Sequence, residues 1–187
     1  MTTFTACVIT PFSTLNAAPS CRLSTEGKGM TFELTPSPTL PLTTRRTVQR
    51  ALSLLEKHLR EPGALFTSTA AARDWLRLKM TGLEREVFMV LYLDNQHRLL
   101  ECETLFSGTI NSTEVHPREV VKSALRHNAA AVLLAHNHPS GEAEPSQADR
   151  QITDRLVKAL SLVEVRVLDH CIVGGMTVSS FAERGWL

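Results

Sequence analysis

Ala129-Ala130-Ala131-Val132-Leu133-Leu134-Ala135-His136-Asn137-His138-Pro139-Ser140-Gly141 runs from an apolar segment straight into two histidines and a turn. The apolar part is short and bounded by turn-forming residues, which predicts a buried strand. Residues i and i+2 of an extended chain point the same way, so His136 and His138 leave the strand end on one side. Pro139 has no N–H to donate and stops the ladder. The polar segment from Pro139 to Pro145 carries strong turn signals. Ser146 is then a natural N-cap for a helix over Gln147 to Leu162, with Ile152, Leu156, Leu160 and Val163 on one side. Asp149 falls in its first turn, facing back toward the histidines. His136, His138 and Asp149 are thus candidate ligands for one divalent ion, with a coordination position left open, an arrangement that suits hydrolysis. A water held there would ionise with a pKa of about 7 in favourable zinc sites. His-x-His alone is common in polar loops, and Ser-x-x-Asp alone is a helix cap. Their conjunction with the Pro-Ser-Gly turn favours the metal.

Working outward, Thr44 to Arg60 has Val48, Leu52, Leu55 and Leu59 at helical spacing and ends at Pro62-Gly63. Its basic residues suit either a nucleic-acid or partner-binding helix or a solvated face, and the solvated face is the favoured reading. A second helix is expected from Thr69 to Lys79, with Trp75 and Leu76 inward. Glu86 to Asp94 and Arg98 to Phe106 read as a hairpin across Asn95-Gln96-His97. Pro117 opens a helix through Arg126. Glu164 to Val173 and Met176 to Ser180 form a last hairpin through Gly174-Gly175. The order α-β-β-α-β-α-β-β predicts an α/β fold, a mixed sheet flanked by helices.

His136-x-His138-Pro139, seven residues, Ser146, two residues and Asp149 together resemble the JAMM motif of MPN-domain metalloproteases. With His136-Asn137-His138-Pro139-Ser140-Gly141, Val115 to Val120 and Leu168-Asp169-His170, the chain resembles the RadC branch of that superfamily over about Leu65 to Leu187. The resemblance implies a three-layer α-β-α, cytidine-deaminase-like architecture and one Zn2+ per chain. It also implies a metal-activated water attacking a peptide or isopeptide bond. It assigns the general base to Glu86, which the residues alone do not separate from Glu84, Glu101, Glu103 and Glu114. It gives Ser146 a second role, holding the oxyanion of the tetrahedral intermediate. Asn137 stands where peptidase members usually carry Ser or Thr; RadC-like members share it, and the departure is expected to leave metal binding intact while weakening the case for substrate specificity of the deubiquitinase type. His170 is a candidate outer partner of a ligand. His116, Asn137 and Ser140 are weaker candidates for the site's lining, while His58, His97 and His127 read as exposed.

RadC-like proteins are commonly labelled DNA-repair proteins, so a nucleic-acid-linked accessory role competes with hydrolysis, as does a metal-binding scaffold without turnover. The charge balance disfavours nucleic acid: 20 Lys+Arg against 19 Asp+Glu, and only 5% aromatic residues. A scaffold would be expected to have lost ligands, and all three are here. The chain is expected to be a short form without the helix-hairpin-helix region of longer RadC proteins. No apolar run of 18 residues exists, so no membrane span is expected. There is no signal-like N-terminus, and the four cysteines form no Cys-x-x-Cys pair. Both features predict a cytoplasmic protein with reduced thiols. Residues 1–44, rich in Thr, Ser and Pro, are expected to be a flexible tail. Residues 45–63 are the amphipathic helix and linker, and 65–187 the metal-dependent hydrolase domain.

Overall fold

The computed structural model describes residues 40–60, 69–108 and 114–187. The expected tail before residue 40, the Pro62-Gly63 helix stop and the domain start at Leu65 lie outside them. The elements are α1 (Leu42–Arg60), α2 (Thr69–Met80), β1 (Val87–Leu93), β2 (Leu99–Ser107), α3 (Pro117–Arg126), β3 (Ala131–His138), α4 (Gln147–Ser161), β4 (Arg166–Gly174) and β5 (Thr177–Ser180). The helix expected from Thr44 starts two residues earlier, at Leu42, immediately after Pro41.

The strands form one mixed sheet in the order β2-β1-β3-β4-β5. Only the β3–β4 pair is parallel, and α4 makes the crossover between them. Both central strands are apolar on both faces, as strands covered on two sides must be. Odd-numbered Met89, Leu91, Leu133 and Ala135 join Leu59, Trp75, Leu76 and Met80 from α1 and α2. Even-numbered Phe88, Val90, Val132 and Leu134 join Val120 and Ala124 of α3 and Leu156 and Leu160 of α4. The result is the three-layer α-β-α architecture, with two cores separated by the sheet. Trp75 and Leu76 are both buried, as their spacing predicts.

β3 is longer than its apolar run. It carries His136 and His138 within the strand, because parallel pairing with β4 continues to His138 opposite Gly174. The same alternation that puts Val132 and Leu134 on the α3/α4 side puts both histidines there too. The β1–β3 ladder stops two residues earlier, at Phe88 opposite His136. The two strands therefore part at the end where the histidines stand.

Candidate metal centre

Helix α4 brings Asp149 to the histidines through its start. Ser146 caps the helix: its Oγ accepts from the Asp149 N–H at 3.2 Å, and Asp149 Oδ2 accepts from the Ser146 N–H at 2.7 Å. The Ser146 hydroxyl also donates to Oδ2, at 2.6 Å. This reciprocal box locks the Asp149 rotamer and leaves Oδ1 turned to His136 Nε2, 3.2 Å away. His138 Nε2 lies 3.6 Å from Oδ2, and the two histidine Nε2 atoms are 3.0 Å apart.

The hydrogen-bond pattern fixes the histidine tautomers. Thr153 Oγ1 donates to the Asp149 carbonyl at 2.5 Å, so it must accept from His170 Nδ1–H at 2.6 Å. His170 Nε2 is then an acceptor, and His136 Nδ1–H donates to it at 2.9 Å. His138 Nδ1–H donates to the Glu142 carbonyl at 2.8 Å. Each ligand histidine thus spends its one proton away from the centre and points a bare Nε2 lone pair inward. Burial holds His170 neutral, well below the usual histidine range, and the neighbouring His136 adds to the effect. Burial by itself would raise the Asp149 pKa, but positive charge gained by His136 or His138 on protonation at Nε2, together with the Ser146 hydroxyl, outweighs it and holds the carboxyl far below its usual range. Asp149 in turn raises the proton affinity of His138, and a cation at the same place gains the same attraction.

Two imidazole lone pairs and a carboxylate oxygen converge with no proton between them, and this donor set fits a divalent cation. Ligands about 2.0–2.1 Å from a tetrahedral zinc stand about 3.3 Å from one another; here the two Nε2 atoms are 3.0 Å apart, and one atom from each of the three residues lies within 4.8 Å of the others.

The centre opens on a pocket of about 590 Å³, lined by Glu86, Phe88, His116, Ser140, Arg155 and the three ligands among others. Glu86 immediately precedes β1 and lines the pocket together with Phe88, two residues on. Its charge is felt at His138. Of the other carboxylates open as bases, Glu114 also lines the pocket. Glu84 is exposed, and Glu101 lies 3.5 Å from Arg60 of α1. Glu103 is buried under α3, bonded to Ser123 and Arg126.

His170 stands behind His136, its Nε2 2.9 Å from His136 Nδ1. His116 lines the pocket beside Phe106, with ring centroids 5.9 Å apart. His58 is exposed as expected, but His97 and His127 are half-buried. His127 stacks on Tyr92 at 4.6 Å and reaches Glu103 Oε1 at 3.0 Å, which draws it in from the end of α3. The sequence reading passed over Thr153. Its signal is the spacing of four from Asp149, which lets a helical hydroxyl reach back to the Asp149 carbonyl.

Residues 66–186 match the model of the RadC-like JAB domain. UPF0758 protein YfjY of Escherichia coli (strain K12) is 68% identical over 151 residues, 81% of this chain and 94% of the relative. UPF0758 protein YeeS of the same strain is 68% identical over 143 residues, 76% and 97% of the two chains. UPF0758 protein PSHAa2643 of Pseudoalteromonas translucida (strain TAC 125) is 60% identical over 141 residues, 74% and 63% of the two.

Proposed function

The chain belongs to the RadC-like JAB domain family, at family level a JAMM-type metal-dependent hydrolase, and we propose that it is a zinc-dependent peptidase acting on a peptide or isopeptide bond. One observation carries the proposal: two histidine nitrogens, with the ring protons on the far side, and the Asp149 carboxylate converge beside a pocket that also holds a second carboxylate, Glu86. A bound zinc ion would supply Lewis-acid charge, acidifying water and polarising the scissile carbonyl.

The chain's own residues supply the remaining parts. Glu86 lines the pocket beside the three candidate ligands without being one of them, and its carboxylate takes a proton from the attacking water and returns it to the leaving nitrogen. The Ser146 hydroxyl, donated to Asp149 Oδ2, is the group to turn toward the developing oxyanion. Asp149 Oδ2 keeps the Ser146 N–H when that happens, so its rotamer survives the exchange. Phe88, stacked on His136 with centroids 6.1 Å apart, makes the pocket floor apolar and shields the ligand from bulk water.

The pocket offers little to a nucleic-acid backbone, since Glu86, Glu114 and Asp149 stand in it against Arg155. We also assign the protein to the cytoplasm. Among the described residues no helix is long and apolar enough to cross a membrane, and Cys102 and Cys171 are free thiols.

The first test is metal content by elemental mass spectrometry, with His138→Ala alongside. One zinc per chain, lost in the variant, is the expected result. Absence of metal in both proteins after zinc reconstitution would sink the hydrolase reading. Against a broad peptide library, chelator-sensitive cleavage that Glu86→Gln abolishes while keeping its zinc is expected. Stoichiometric zinc without any cleavage would leave a scaffold.

A further inference from the structure

Asn137 sits between the two ligand histidines but faces the other way, and it is 3% exposed. Its backbone pairs with β4, opposite Val173. Its side chain crosses the gap where β1 and β3 have parted. Oδ1 accepts from the Val87 N–H at 2.9 Å, and Nδ2 donates to the Arg85 carbonyl at 3.0 Å. These two groups admit only one orientation of the amide, because one is a donor and the other an acceptor. They are the peptide groups immediately before and after Glu86. On the other side, the Glu86 carbonyl accepts from the Gly108 N–H at 2.8 Å.

We propose that Asn137 is the positioning residue for Glu86, its amide replacing the missing β1–β3 ladder and aiming the Glu86 Cα–Cβ bond at the metal centre. The proposal rests on Glu86 being the base. A strand end whose ladder has stopped frays, and a base held on frayed backbone would wander from the water it must reach. The ladder cannot simply continue, because a closed β1–β3 edge would bring Glu86 against His138 with no room for substrate. A primary amide resolves the conflict. It carries a donor and an acceptor at separate atoms, as a peptide group does, while leaving the strands apart. A serine hydroxyl is shorter and offers both functions at a single atom, so it cannot span from Arg85 O to Val87 N. Asn137 touches no metal ligand through its side chain, so its effect should fall on the base and spare the metal.

The test uses the full chain loaded with Co2+, whose visible absorption reports the surroundings of the centre, recorded against pH. Wild type, Glu86→Gln, Asn137→Ser, Asn137→Asp and the Glu86→Gln/Asn137→Ser double variant are compared. All should bind one Co2+ per chain. Wild type should show an acid-side spectral transition that Glu86→Gln abolishes and Asn137→Ser displaces. In the Glu86→Gln background, Asn137→Ser should change nothing further. Asn137→Asp keeps the acceptor for Val87 and loses the donor to Arg85, so it should displace the transition too, and it serves if the serine variant fails to fold.

A wild-type midpoint in both Asn137 variants, with the transition gone in Glu86→Gln, overturns the positioning role and leaves the base intact. No transition that depends on Glu86 overturns the base and this proposal with it. Loss of Co2+ or of folding in both Asn137 variants assigns Asn137 to the ligand strand itself and overturns the proposal as well.

Discussion

A single hydroxyl shows how tightly this centre is wired. Thr153 ties the Asp149 carbonyl to His170, and His170 ties itself to His136, so three residues from α4, β4 and β3 share one line of hydrogen bonds. Reversing the His170–His136 link would place a proton on His136 Nε2, the atom proposed to bind the metal. Thr153→Val keeps the shape, removes the hydroxyl and leaves the buried His170 Nδ1–H without its acceptor. The remaining His170 has no reason to keep the required tautomer. Zinc affinity should fall about 10- to 100-fold, the usual consequence of losing such a partner, as read by competition with a chromophoric chelator. An unchanged affinity would show that the tautomer is set elsewhere. The variant should also lose about 1–3 kcal/mol of stability in the metal-free state, because a buried polar group is left unpaired.

At the scale of elements, β4 shapes the metal loop by what it lacks. Gly174 stands opposite His138, and a Cβ there would meet the backbone of Glu142 and Ala143, with Gly141 O at 2.8 Å. Backbone cannot step aside as a flexible side chain can. Glu142 is also the residue whose carbonyl holds His138 Nδ1. Gly174→Ala should therefore cost about 1–3 kcal/mol in urea unfolding, typical of overpacking, and weaken zinc binding by pushing Glu142 off His138. A full-strength metal site in a destabilised Gly174→Ala protein would separate the loop from the ligand. Much at this scale is readable from sequence: the period of two in Val132 and Leu134 that carries on to His136 and His138, the Ser146 cap, and the Pro117 start of α3. Those signals are local. The end of β3 is not, because its last residues pair with a strand some 35 positions later. Asn137 is less legible still, since its partner Val87 is 50 residues away in the chain. Nothing near Asn137 distinguishes a bridging amide from a turn residue.

The molecule as a whole must hold its edge strand β2 against α3, because β1 starts immediately after Glu86 and lies between β2 and β3. One buried carboxylate does much of this. Glu103, 7% exposed on β2, accepts from Ser123 Oγ at 2.5 Å and from Arg126 at 2.7 Å, with His127 Nε2 at 3.0 Å. Burial by itself would raise its pKa, yet the hydrogen bonds from Ser123 and His127 and the charge of Arg126 win, and the carboxyl lies below the usual range. A depressed folded-state pKa means that the unfolded chain takes up this proton first as pH falls. The stabilisation is complete above the unfolded value of about 4.3 and drains away as pH drops toward the lower folded value. Urea unfolding of the metal-free protein between pH 6 and pH 3 should show stability falling with acid. Glu103→Gln should be less stable at pH 6, because a neutral amide cannot replace the carboxylate among Arg126, His127 and Ser123. Its stability should also fall less steeply below pH 4.5, because the linked proton is gone. Asp149 titrates in both proteins and cancels in the comparison, which isolates Glu103. Parallel pH profiles for the two proteins would show that β2 is held by its apolar contacts with β1 and α3, and that the acid sensitivity belongs to the metal centre.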